Sequence, residues 1–237
     1  MTIAVLADIV GSRGLPDRVA AQRALDDVIA TVERDLPTSI QPIQPLRPTT
    51  GDEQQAVFAT LDAALAFVLR LQLALPEGLE FRFGIGVGRI GAVASRSGDL
   101  TDGPGWWAAR AAIDVVHAKQ QRTIPSARSW IVAAPEEDGS MHAIVAFANA
   151  YLLARDELVG AMNQRARRLV SGRLRGLTQR ELAQAEGITQ PAVSQALSSV
   201  GAASVIEGYR AITSAPGSGA RRCSSQPSCS SRSARQT

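Results

Sequence analysis

The segment FRFGIGVGRIG, residues 81–91, carries glycine at positions 84, 86 and 88. Apolar residues alternate with glycine at the period of a β-strand, so the three glycines share one strand face. A face without side chains lets a helix or a ligand come close to the backbone. The same letters spell GxGxxG at 86–91. A dinucleotide site needs a helix directly after that turn. Here AVASRSGDLTDG follows and reads as loop, and no βαβ unit precedes it. The glycines are therefore a packing feature of a sheet.

Around this strand the chain alternates elements. Residues 3–9 form a continuous apolar run, read as a strand. Pro16 and Asp17 open a helix with Val19, Ala20, Ala24, Val28, Ile29 and Val32 at helical spacing, ending near Pro37. Residues 39–48 hold three prolines and suit an edge strand or loop. TTGDE at 49–53 is a turn leading to a short strand over 54–58. Residues 60–75 read as an amphipathic helix and 79–87 as the glycine strand. A loop over 91–103, a helix over 104–121 and a strand over 128–133 follow. The order β-α-β-β-α-β-loop-α-β fits an α+β fold with a ferredoxin-like split βαβ sheet. From about His142 the pattern is all-helical. This predicts an α/β domain over 1–138, a small helical domain over 139–213 and a disordered Ser/Arg-rich tail over 214–237. Cys223 and Cys229 fall in that tail without His or Cys at ligand spacing, and read as free thiols.

Charge divides along the same line. Residues 1–150 carry 13 Lys and Arg against 17 Asp and Glu, a net of −4; residues 151–237 carry 12 Arg against five acids, a net of +7. A basic module joined to an acidic one is the pattern of a nucleic-acid reader attached to a different domain. No basic-then-apolar leader opens the chain, and the uncharged run 139–154 is too short and too polar to span a bilayer. A cytoplasmic protein with no membrane partner is expected.

The stretch LTQRELAQAEGITQPAVSQAL, residues 177–197, is the most specific signal. Thr178 and Glu181 form a capping box. Gly187 supplies a left-handed turn residue. Thr189 caps a second helix whose first turn holds Pro191. Leu182, Ala183, Ile188, Val193 and Leu197 point inward, which leaves Gln190, Ser194, Gln195 and Ser198 on an open face. The stretch resembles the helix-turn-helix of bacterial repressors and of sigma-factor region 4. That resemblance implies binding of double-stranded DNA, with Thr178, Gln179, Thr189, Gln190, Ser194, Gln195 and Ser198 near the bases. Arg173 and Arg175, with Arg165, Arg167 and Arg168, would meet phosphates. A helical hairpin used only for protein interaction is the alternative.

Four further pieces, LADIVGS, TTGDEQQAVF, FRFGIGVGRIG and DGPGWWAARAA, resemble in order the class III nucleotidyl cyclase domain and its palm-type sheet. The resemblance implies that Asp8 and Asp52 hold Mg²⁺ or Mn²⁺ with a nucleotide. It implies that Ile9, Val10 and Gly11 wrap phosphates and that Arg110 takes the transition-state arginine's place. One turn before Arg110 the family has an asparagine; here stands Trp106, which either stacks a ligand or anchors the helix. The base-selecting lysine has no counterpart. The whole chain, opening MTIAVLADIVGSR, is similar to the SatD family over about residues 1–210. These resemblances imply a homodimeric transcriptional regulator with a degenerate, cyclase-like ligand-sensing domain and no catalytic residues. An active cyclase making a cyclic nucleotide from ATP or GTP is the enzymatic alternative.

Overall fold

The computed structural model describes residues 2–214 apart from Leu15, residues 50–52, residues 94–99 and Val200. Asp52 and the tail expected to be disordered beyond Ser214 lie outside the described residues.

Strand β1 (Thr2–Ile9) is the middle of a five-stranded sheet because apolar residues fill both its faces. It pairs antiparallel with β3 (Glu53–Phe58) on one side and with β4 (Phe81–Gly88) on the other. β2 (Gln44–Pro48) extends the sheet antiparallel beyond β3, and β7 (Ser129–Ala133) extends it parallel beyond β4. The strand order is thus β2-β3-β1-β4-β7. Pro45 and Pro48 sit in an edge strand, where a missing N–H does least harm. The segment expected to be pure loop contains a small separate hairpin, β5 (Gly91–Val93) with β6 (Leu100–Asp102).

Helices α1 (Arg18–Arg34) and α2 (Leu61–Ala74) cover the sheet face lined by Ile3, Val5, Ala7 and Phe83. Helix α3 (Pro104–Arg122) covers the other face, where Trp106, Ala109 and Ile113 meet Ala4, Leu6 and Val57. There the three glycines of β4 receive the helix backbone itself: a Cβ at Gly84 would lie 2.2 Å from the Ala109 carbonyl oxygen. Helix α1 buries Leu25, Ile29 and Val32, while Val19 stands exposed.

Helix α2 departs from its amphipathic expectation. Every residue from Ala63 to Leu73 is buried, Arg70 and Gln72 included. The cause is the carboxyl-terminal helices, which cover the face that would otherwise meet water. These are α4 (Gly139–Gly160), α5 (Gln164–Leu174), α6 (Gln179–Glu186), α7 (Gln190–Ser198) and α8 (Ala202–Thr213). Helices α5 and α8 pack on α2, so one apolar core runs from the sheet into the helical part.

Helix α4 seals the outer edge of the sheet. Asn149 Oδ1 accepts from the Ile131 N–H at 2.8 Å and its Nδ2 donates to the Ile131 carbonyl at 2.9 Å. One turn pair further on, Asp156 Oδ2 accepts from the N–H groups of Arg128 (2.8 Å) and Ser129 (2.7 Å). Its Oδ1 accepts from Arg155 Nη2 at 2.8 Å and Gln72 Nε2 at 3.1 Å. Two side chains of α4 thereby pair backbone groups of residues 128, 129 and 131 along the outer edge of β7.

Candidate functional sites

Helices α6 and α7 are shaped by bonds local to 178–192. Thr178 Oγ1 accepts from the Glu181 N–H at 3.2 Å, and Glu181 Oε2 accepts from the Thr178 N–H at 2.7 Å. The backbone and hydroxyl bonds from Thr178 hold the Glu181 carboxyl below the ordinary glutamate range. Gly187 ends α6 at φ +63°, and the Ile188 N–H reaches back to the Ala183 carbonyl at 3.0 Å. Both features belong to a left-handed helix stop. Thr189 then caps α7 through the Ala192 N–H at 3.4 Å. Val193 and Leu197 are buried, while Gln190, Ser194, Gln195 and Ser198 are exposed. Thr178 and Thr189 are solvent-facing and Gln179 is half-buried. The Ser198 hydroxyl donates to the Ser194 carbonyl at 2.9 Å.

The arginines preceding α6 have structural partners. Arg168 grips both carboxylate oxygens of Glu186 at 2.7 Å, with Arg165 4.0 Å from the same group. The Arg168 hydrogen bonds hold Glu186 below its ordinary range and raise Arg168 further. Arg167 donates to the Met162 carbonyl at 3.3 Å, and Arg173 to that of Leu177. Arg175 lies 3.6 Å from Asp35 and ties α5 to α1. A further cation, absent from the expected set, is Arg180 in the first turn of α6. It is exposed and has no ion-pair partner among the described residues.

At the far end of the sheet, three charged residues stand in register on adjacent strands. Asp8 of β1 faces Glu53 of β3 on one side and Arg82 of β4 on the other. Arg82 Nη2 lies 3.2 Å from Asp8 Oδ2. Glu53 is ion-paired with Arg110 of α3, whose side chain is half exposed. After β1 the chain turns at once: Ile9 is buried, the Val10 N–H donates to the Glu80 carbonyl at 2.9 Å, and Gly11 adopts φ +68°. Trp106 lies buried against Ala4, Leu6 and Val57, one turn from Arg110, and its indole N–H has no partner among the described residues. Its neighbour Trp107 is exposed, with Nε1 3.1 Å from Asp102 Oδ1.

A divalent cation at this end would share Asp8 with Arg82. The Asp8 carboxylate already faces a guanidinium, which supplies positive charge where a cation would. Among the described residues no group of three or more His, Cys, Asp or Glu is placed to hold a metal. The second expected ligand, Asp52, lies outside them. At this end the described residues show two carboxylate–guanidinium pairs, Asp8–Arg82 and Glu53–Arg110.

No described helix is long and apolar enough to cross a membrane. Compared with known families, the chain matches the model of the SatD family over residues 2–208, from β1 into α8. No curated protein matches it.

Proposed function

The chain belongs to the SatD family, and from that premise we propose that it is a DNA-binding transcriptional regulator whose sheet domain senses a small ligand. One observation carries the reading: α7 leaves Gln190, Ser194, Gln195 and Ser198 exposed while Val193 and Leu197 are buried, with Gln195 on the side opposite that buried pair. Helix α6 is capped at both ends, and α7 is capped at its start by Thr189. This is the helix-turn-helix reading, with α7 entering the major groove and glutamines bonding base edges. Arg180 joins Arg173 and Arg175 as a phosphate contact. The order β2-β3-β1-β4, antiparallel throughout, supports a ferredoxin-like, palm-type sheet.

In this reading the cyclase-like end binds and does not turn over. The Asp8–Arg82 pair supports that, because a compensated carboxylate draws a cation weakly. So does Trp106, which fills sheet-facing space with indole where cyclases have an asparagine. The ligand region proposed is the Ile9–Val10–Gly11 turn with Arg110. We propose a homodimer, since paired helix-turn-helix units read two-fold operators.

The test is a titration of the purified protein against labelled DNA from its own upstream region at two salt concentrations. Specific binding that weakens with salt is expected. Absence of binding at both concentrations overturns the proposal. Gln195→Ala should relax discrimination at one base pair by about 1–3 kcal/mol, whereas Arg180→Ala should weaken all sequences alike.

A further inference from the structure

Among the described residues three arginines are more than nine-tenths buried, and two of them have an acid. Arg155 has Asp156 and Arg82 has Asp8. The third, Arg70 in the middle of α2, is 4 % exposed and has no hydrogen bond or ion pair among the described residues. Its nitrogens are not sealed in either, since they are absent from the fully enclosed polar atoms that lack a partner. Arg70 lines a cleft of about 620 Å³ whose walls come from α1, α2, α5 and α6.

The charges around that cleft do not answer Arg70. Asp35 is paired with Arg175, and Glu186 is held by two bonds from Arg168. Glu77, the remaining acid of the lining, is exposed and forms no ion pair with Arg70. Ser171, Thr31 and Gln164 add hydroxyl and amide donors to the same walls. A buried guanidinium without a counter-charge is costly. Its planar fork of donors matches a carboxylate or phosphate group at two points.

We propose that this cleft is a binding site for a small oxyanion, carboxylate or phosphate, with Arg70 as its anchor. The site lies where the sheet part meets the helices that lead to α7. That the anion also tunes DNA binding rests on the function proposed above; the site itself does not.

The test uses the full chain without DNA, so failure of the DNA-binding reading leaves it untouched. Inorganic phosphate and succinate are titrated at constant ionic strength set with sodium chloride, and the melting temperature and calorimetric heats are followed. A saturable rise in melting temperature with phosphate or succinate, absent with chloride, is expected, because a ligand of the native state stabilises it. The preferred probe tells phosphate from carboxylate chemistry. Arg70→Met should weaken that binding at least tenfold while leaving the ligand-free protein as stable as the parent, since it removes an unanswered charge. No saturable response to either anion overturns the proposal, as does a Met variant that binds as tightly as the parent. If Arg70→Met does not fold, Arg70→Lys decides. Weakened anion binding with unchanged stability in chloride supports the site, and unchanged binding overturns it.

Discussion

A methyl group added at Gly86 would sit 1.9 Å from the Gly105 carbonyl oxygen and 2.5 Å from the Ala109 nitrogen. Both are backbone atoms of α3 and neither can swing aside. Gly86→Ala should therefore destabilise by about 3 kcal/mol or more, read as a lower urea midpoint, because the helix must leave the sheet. The alternation of glycines announced a close approach, and only the folded chain says that the visitor is a helix. Asn149 is the opposite case. A lone asparagine in an apolar helical stretch looks like a surface residue, yet both its amide atoms hold the edge strand. Asn149→Ala leaves a buried N–H and a buried carbonyl of Ile131 unpaired, and should cost about 1–3 kcal/mol in the same measurement.

Among the elements, α6 and α7 were the most legible, because every cap bond is made within a few residues of its cap. Thr189→Ala should cost about 1 kcal/mol of stability, the usual worth of a lost N-cap. Glu181 adds a pH dependence. Its folded carboxyl titrates below its unfolded value because Thr178 bonds it. The stabilisation is therefore present above the unfolded pKa and is lost as pH falls through the lower, folded one. Denaturation of the parent and of Glu181→Gln should accordingly differ most near neutral pH and converge in acid. Helix α2 was the least legible. Its sequence shows one strongly apolar stripe, but its remaining face is dry as well, since α5 and α8 arrive from about a hundred residues away or more. Nothing within the α2 sequence encodes their arrival.

At the scale of the whole molecule, the division of charge between the acidic and basic parts survives as a division of labour in the proposal, although one core joins them. Incubation with ATP or GTP and Mn²⁺ should yield no cyclic nucleotide, and detectable product would reverse the reading of the Asp8–Arg82 pair. By itself the sequence determined the order of the main-sheet strands and their helices, though not the β5–β6 hairpin, together with the paired caps of α6 and α7 and the exposed positions of α7. These are decided by contacts between near neighbours, whose spacing is written in the chain. Only the tertiary structure decided that Asp8 meets Arg82, that α4 seals β7 and that Arg70 is buried without a counter-charge. Each depends on side chains from distant segments sharing a few ångströms, and a one-dimensional pattern carries no record of such distances.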